Sequence, residues 1–559
     1  MPGRPKRSAH LEPTFVELFT PKLITVFREG YGWRDLRADA ISGLTVAVVA
    51  LPLSMAIAIA SGVSPERGLY TAIAGGFIVS LLGGSRFQVG GPAGAFIGLV
   101  ASIVERHGYD GLALATAIAG LILIVVALLR LGTYIKYIPL PVTIGFTAGI
   151  AVIITASQIS EVLGLKIAHE PSALVPRLAA IGAALPTINL QTIAVTLLSL
   201  AVILLVRRYR PGWPAFLIAI AVAALVCFLF HLDVATVTSR FGAVPRSLPA
   251  PSFPAFSFEK MQAVLPDAFA IALLGSIESL LSAVVADGMT GRRHRSNAEL
   301  GAQGIAGIVS VIFGGICVTG TVARTATNVR SGARGPISGI FHCFYLLLFL
   351  AIAAPLVGYI PLAGLGAVLV VVAWNMAEKE EFWSLIRTSR GDAAVLLATF
   401  GLTIFVNLIT GITVGVVMGA LLFLHRMAEA VEVEDGAGLE DLADVPGEHY
   451  DAKAATDRDV MIYRINGAFF FGATARVLTA LERVGAPPRL FVLDFTDVPL
   501  IDTTAAHSLT AFVNKLKRAG TEVCFAAARP KVRHKLQLSG LKPPLVRYAS
   551  SVSAAREKS

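Results

Sequence analysis

The stretch Val318-Thr-Gly-Thr-Val-Ala-Arg-Thr-Ala-Thr-Asn328 decides the reading of this chain, together with its counterpart Gln88-Val-Gly-Gly-Pro-Ala-Gly-Ala-Phe96 in the first half. Both are glycine-rich breaks inside otherwise apolar sequence. A helix broken at membrane depth leaves backbone N–H groups without intrahelical partners, which is tolerated only where protein or a polar cavity covers them. Two such breaks in corresponding halves of a hydrophobic chain point to a substrate site near the bilayer midplane.

Outward from these breaks, hydrophobic runs of about 20 residues recur from Asp39 to about Met427, each long enough to span a bilayer. Of the 559 residues, 55% are hydrophobic and only 15% charged, which defines an all-α polytopic membrane domain. Spans are expected at roughly 39–62, 68–83, 92–106, 111–130, 137–163, 191–206, 212–230, 266–286, 298–314, 322–332, 337–357, 360–376, 393–409 and 411–427. The third and tenth are half-length. Two groups of seven with matching short members are the pattern of an inverted-topology repeat. In that arrangement the two half-helix N-termini face each other, so unpaired N–H groups and positive dipole ends converge on one anion site.

The net charge of +10 does not point to nucleic acid, because Lys and Arg cluster beside the spans and at the chain ends. With the N-terminus inside, the connections Gly84-Ser-Arg86, Arg130 to Lys136, Arg207 to Arg210, Arg292 to Arg295, Arg330 to Arg334 and Lys379 to Arg390 are all cytoplasmic, and every one is basic. The segment Pro171 to Pro186 is short for a span and reads as an interfacial helix. Cys227, Cys317, Cys343 and Cys524 show no CxxC spacing, so neither a disulfide framework nor a zinc site is indicated. The N-terminus lacks the pattern of a signal peptide. Without a phosphate-binding loop or a zinc-hydrolase motif, neither ATP coupling nor a membrane enzyme is favoured.

After about Glu432 the charge returns and apolar segments shorten to strand and helix lengths. Strands at Val460 to Gly467, Arg489 to Asp494 and Glu522 to Ala526 alternate with helices near Ala473 to Arg483, Thr503 to Arg518 and Pro530 to Leu536, which reads as a small α/β domain. The expected division is an N-terminal segment 1–38, a transmembrane domain 39–427, a linker 428–458 that is acidic with Gly and Pro, and a soluble domain 459–559.

Arg324 falls two to three residues into the second half-helix. There its guanidinium either binds an anionic group through charge-assisted hydrogen bonds or pairs internally with Glu278. Glu278 is alone in an apolar span, where a carboxylate is costly unless paired or protonated; it reads as a proton carrier, a sodium ligand or a static ion-pair partner. Ser282 shares its helix face. Thr325, Thr327 and Ser54 offer hydroxyls to a polar path, though such groups also bond back to helix carbonyls. Pro52 and Pro92 mark expected departures from regular helix. His342 and Asn407 read as satisfied interhelical contacts.

The run Asp39-Ala-Ile-Ser-Gly-Leu-Thr-Val-Ala-Val-Val-Ala-Leu-Pro52, the Gly91-Pro92-Ala93 break, Gly275-Ser-Ile-Glu-Ser-Leu-Leu-Ser282, the segment Thr319 to Arg334 and the C-terminal domain together resemble the sulfate permease (SulP) family of anion transporters. The resemblance implies two inverted seven-helix repeats, a core domain moving against a gate domain, a cytoplasmic STAS domain and a homodimer in a bacterial inner membrane. It implies a small inorganic or carboxylic anion between Gly91, Pro92, Ala93 and Phe96 on one side and Gly320, Thr321, Ala323, Arg324 and Thr325 on the other. It also implies a coupling ion at Glu278 and Ser282, H+ rather than Na+ because Glu stands where sodium-coupled members carry Asp and because Arg324 already supplies positive charge. No other cofactor or metal is implied. Asp502-Thr-Thr-Ala505 matches the position of the phosphorylatable motif of related regulators, but with Ala for Gly; Thr504 is therefore a weak phosphorylation candidate and Asp502 a helix N-cap. A regulatory partner of the STAS domain belongs to the same implication. The rival readings are a nucleobase permease, an anion channel and a membrane-tethered regulator.

Overall fold

The computed structural model describes residues 15–133, 138–167, 170–171, 173–254, 257–429, 432–435, 460–470, 473–474 and 488–556. The chain forms two compact units, Met1–Val416 and Val417–Ser559.

In the first unit each expected span meets a helix. In chain order these are Trp33–Ala60, a segment over 65–82, Gly94–Leu128 (which holds two spans), Leu140–Leu163, Leu190–Tyr209, Ala215–Phe230, Phe258–Thr290, Ser296–Ile312, Val322–Arg330, Ile337–Val357, Leu362–Met376, Arg390–Phe405 and Leu408–Glu429, the last running across the boundary between the units. Among the described residues, eight helices are individually long and apolar enough to cross a membrane. The third and fourth spans are joined without a loop: Gly108 alone breaks the helix, at φ 66° and ψ −175°, a conformation that a side chain disfavours.

Two packing groups result. The helices Phe258–Thr290 and Ser296–Ile312 lie against Gly94–Leu128, while Ile337–Val357 lies against Trp33–Ala60. In the other group Leu140–Leu163 packs on Arg390–Phe405 and Leu362–Met376, and Leu190–Tyr209 on Ala215–Phe230 and Leu362–Met376. Glycines set the closest approaches. A Cβ on Gly120 would stand 2.5 Å from the Gly304 carbonyl, and one on Gly304 would stand 2.4 Å from the Gly120 carbonyl. Such small-residue contacts let membrane helices pack where water supplies no driving force.

Two sequence expectations need correction. Pro52 does not interrupt its helix, which runs through from Trp33 to Ala60. The irregular segment falls instead in the second span, where Thr71–Gly75 forms one π turn. Asn407 is not inside a span: it lies between Arg390–Phe405 and Leu408–Glu429, where its side chain accepts the Thr410 N–H at 2.7 Å. The segment read as an interfacial helix is helical over Leu174–Ala184, with Arg177 buried and 3.3 Å from Glu170. Residues 1–14 and 134–137, which include part of the Arg130 to Lys136 connection, lie outside the described residues.

The second unit holds a five-stranded sheet in sequential order, Glu432–Asp435, Val460–Asn466, Leu490–Asp494, Glu522–Ala526 and Arg547–Ala549; the first pair is antiparallel and the rest are parallel. Leu490–Asp494 is buried along its whole length, as a central parallel strand should be. The edge strand Glu432–Asp435 begins within the stretch expected to be linker, and Arg547–Ala549 was not anticipated. Backbone pairing carries both short polar strands, which show no apolar alternation to reveal them. Asp502 accepts the Ala505 N–H at 2.8 Å, so it is the N-cap of Thr503–Arg518, and Thr504 is exposed in the first turn. Most of the helix expected near Ala473 to Arg483, and the remainder of the 428–458 linker, lie outside the described residues.

Candidate anion site

The two glycine-rich breaks meet. Gly90–Gly91 pairs antiparallel with Thr319–Gly320, Gly90 opposite Gly320 and Gly91 opposite Thr319, and the Thr321 N–H donates to the Val89 carbonyl at 3.2 Å. From this crossing each chain turns from extended backbone at Ala93 or Thr321 into a helix, Gly94–Phe96 leading into Ile97–Leu128, and Val322–Arg330. The first-turn N–H groups of a helix have no i−4 carbonyl to bind, so both starts present unspent donors and the positive end of a dipole. Thr321, at the N-cap position, makes no side-chain cap bond, and its hydroxyl is buried without a partner among the described residues.

Arg324 adds a full charge to this point. Its Nη2 donates to Ser54 Oγ at 3.0 Å and to the Pro92 carbonyl at 3.3 Å, while Nη1 donates to the Gly90 carbonyl at 3.4 Å. Nε has no partner, and the residue is 1% exposed. The guanidinium therefore reaches from the second half-helix onto the first break. Glycine at 91 makes room for it, since a Cβ there would lie 1.5 Å from Nη1. Among the described residues no carboxylate forms an ion pair with Arg324, so the internal pairing with Glu278 considered above does not occur.

The remaining expected residues divide into floor and rim. Gly91, Pro92, Ala93, Phe96, Gly320, Arg324, Thr325, Ser54 and Ser282 are buried, whereas Thr321 and Glu278 are partly accessible and Ala323 is exposed. Ser282 Oγ donates to Thr325 Oγ1 at 2.9 Å, and Thr325 Oγ1 accepts the Val89 N–H at 3.3 Å, which ties the eighth span to both breaks. Ser54 Oγ donates back to the Ala50 carbonyl while accepting from Arg324. Phe96 packs against Gly275, where a Cβ would meet its ring at 3.6 Å. Thr327 only bonds back to the Ala323 carbonyl. The Glu278 carboxylate has neither ion pair nor hydrogen bond among the described residues. A Cβ on Gly94 would lie 3.4 Å from Met376 Sδ and 3.5 Å from Ile154 Cδ1, so the second packing group closes over the first break.

Sequence reasoning missed three supports. Gly75 and Gly76 in the π turn and just after it lie beneath both breaks: a Cβ on Gly75 would press on Val318 at 2.9 Å, and one on Gly76 on the Gly90 carbonyl at 2.8 Å. A Gly-Gly pair in mid-span was the available signal. Asn328 Nδ2 donates to the Phe87 carbonyl at 2.9 Å and to Ser338 Oγ at 2.8 Å, and its Oδ1 accepts from Ser42 at 2.7 Å. Gln88 presses its amide against the Gly320 backbone, where a Cβ would lie 1.5 Å from Nε2. His342 departs from expectation: it is fully buried, and neither ring nitrogen has a hydrogen-bond partner among the described residues.

Comparison with known proteins matches residues 36–399 to the sulfate permease family and residues 451–555 to the STAS domain. The chain is 38% identical to the putative sulfate transporter YvdB of Bacillus subtilis, over 92% of this chain and 95% of that one. It is 28% identical to the bicarbonate transporter BicA of a Picosynechococcus strain, over 90% and 91%. Among solved structures, the transmembrane domain of a cyanobacterial bicarbonate transporter BicA aligns with a TM-score of 0.62 at 30% identity, covering 68% of this chain and 98% of that one. The murine Solute Carrier 26 family member A9 anion transporter aligns with a TM-score of 0.84 at 17% identity, over 99% and 96%, a likeness of fold.

Proposed function

Since the chain belongs to the sulfate permease family and carries a C-terminal STAS domain, we propose that it is a secondary active transporter of small oxyanions, sulfate, bicarbonate or a C4-dicarboxylate, working by alternating access and coupled to protons. The observation that carries this reading is the meeting of two helix N-termini with the buried Arg324 guanidinium, three hydrogen bonds of which hold it across the first break. Such a point favours an anion by charge and by convergent N–H donors.

Charge balance supports the coupling. Emptied of substrate, the site holds one fixed positive charge, Arg324, and one carboxylate, Glu278. A monoanion that arrives with a proton for Glu278 leaves the moving site neutral again, which limits the cost of carrying it through a low-dielectric barrier. A dianion leaves one negative charge uncompensated and gains from further protons or a cation. Sodium symport is the second reading, favoured by the Ser282 hydroxyl, which is one helical turn from Glu278 and bonded to the Thr325 hydroxyl. We extend the proposal to a homodimer in a cell inner membrane, as the family resemblance implies, with the N-terminus and the STAS domain on the cytoplasmic side, as the basic connections imply.

The test is uptake of labelled sulfate, bicarbonate and succinate into proteoliposomes under imposed proton or sodium gradients. Saturable accumulation driven by a proton gradient supports the proposal. Sodium-driven accumulation selects the second reading, and non-saturable flux with no gradient coupling indicates a channel.

A further inference from the structure

Behind the anion site lies a second carboxylate that the transport reading does not use. Glu299, in the first turn of Ser296–Ile312, is completely buried. Its Oε2 accepts the Ser85 N–H at 2.9 Å, and the Gly84 N–H also points to the carboxylate. Gln303, one turn along the same helix, and Ser279 of the eighth span stand beside it. Ser279 Oγ in turn accepts from Gln88 Nε2 at 2.7 Å, and Gln88 lies against Gly320, the last residue before the second half-helix cap. The cluster is short of partners. Glu299 Oε1, both amide atoms of Gln303 and Gln88 Oε1 are buried without hydrogen bonds among the described residues.

The cations nearest to it are engaged elsewhere or form no pair with it among the described residues. On its own helix's approach, Arg295 donates to the Thr20 carbonyl and Thr25 Oγ1. Arg86 pairs with Glu29. Lys22 of the N-terminal helices forms no ion pair with Glu299 among the described residues, and Glu17 and Glu278, being acids themselves, supply no counter-charge. An ionised carboxylate at such a place, with neither counter-charge nor a full set of donors, is strongly disfavoured. The neutral acid pairs two of the four orphaned atoms, because an O–H on Oε1 can donate to Gln303 Oε1 while Oε2 keeps its backbone donors.

We propose that Glu299, with Gln303, Ser279 and Gln88, forms a second proton-binding site of the transport domain, whose occupancy is felt at the anion site through Gln88 and the Gly320 backbone. The proton binds Oε1 from water and returns to water on release, with no other bond made or broken. This deepens the proton-coupled reading and rests on it, but its own readout does not need transport. When Glu299 loses its proton, the carboxylate recruits the Ser279 hydroxyl and the Gln303 amide as donors. Ser279 Oγ still accepts from Gln88 Nε2 while its O–H turns to the carboxylate, so the change of charge is passed along this chain to the amide resting on Gly320.

The experiment is infrared difference spectroscopy of the full-length protein in lipid across a pH titration, paired with sulfate binding at each pH. A protonated-carboxyl band is expected that vanishes as pH rises, is absent in Glu299→Gln, and persists in Glu278→Gln. Glu299→Gln should also lose a share of the pH dependence of sulfate affinity that Glu278→Gln retains. Should Glu299→Gln fail to fold, Gln303→Leu, which removes the acceptor, must shift the band in frequency. A carboxyl spectrum identical in wild type and Glu299→Gln, a band unmoved in Gln303→Leu, or an unaltered pH profile of sulfate binding in Glu299→Gln overturns the proposal. Sodium-induced loss of the band at constant pH also overturns it, in favour of a metal cation at the same oxygens. Failure of Glu278→Gln to affect coupling would count against the transport reading alone.

Discussion

Arg324 and Glu278 sit on opposite terms with their surroundings, one fully buried and held by three acceptors, the other partly accessible and held by none. That asymmetry fits the proposed division, a fixed charge on arginine and a variable one on glutamate. Lysine cannot reproduce two separate nitrogens bonded to Ser54, Pro92 and Gly90 at once, so Arg324→Lys should weaken anion binding by roughly 10- to 100-fold, the equivalent of losing one charge-assisted hydrogen bond of about 1.5–3 kcal/mol. Isothermal titration with sulfate reads this directly. Glu278→Gln should abolish proton-driven accumulation in proteoliposomes while anion exchange down a concentration gradient survives, because the neutral amide keeps the shape and removes the titration. Unchanged proton-driven accumulation by folded Glu278→Gln protein eliminates its coupling role. Instability of this variant and of Arg324→Ala alike would indicate a structural part for both residues.

The element that matters is the crossed pair of breaks, and its steric tolerance is small. Gly91→Ala puts a methyl group into the space of Arg324 Nη1, so it should displace the guanidinium and lower anion affinity nearly as far as Arg324→Ala, with the fold kept because the surrounding helices are unaltered. Equal sulfate affinity in Gly91→Ala and wild type would show that Arg324 need not occupy its observed position. Much of this element was legible in the sequence. Apolar runs fixed the spans, and glycine and proline inside two of them marked the half-helices, since few other features interrupt a helix in lipid. Two things escaped. The π turn at Thr71–Gly75 has no compositional mark beyond Gly75-Gly76, and its cause is tertiary, the need to seat Val318 and Gly90. The expected break at Pro52 did not form, because the helix continues past the proline and Ser54 still bonds the Ala50 carbonyl. The contacts of Arg324 were equally out of reach, since its partners Ser54, Gly90 and Pro92 are more than 230 positions away and a periodic pattern carries no long-range register.

At the scale of the whole molecule, every residue proposed to hold the anion or its coupling ion belongs to the unit Met1–Val416, and the sheet built on Val460–Asn466 and Leu490–Asp494 belongs to the other. Removing the chain from about Glu432 should therefore leave sulfate affinity within a few-fold of wild type, whatever happens to transport rate or assembly. Complete loss of binding in a well-folded truncated protein would show that the anion site depends on the STAS domain. The account as a whole rests on an anion held where two helix starts converge on one buried arginine. Equilibrium sulfate binding to purified, folded Arg324→Ala protein, measured beside the wild type at the same pH and salt, tests that most directly. A loss of at least about 10-fold in affinity, with thermal unfolding of the ligand-free protein little changed, is the predicted result, and wild-type affinity in the folded variant would contradict it.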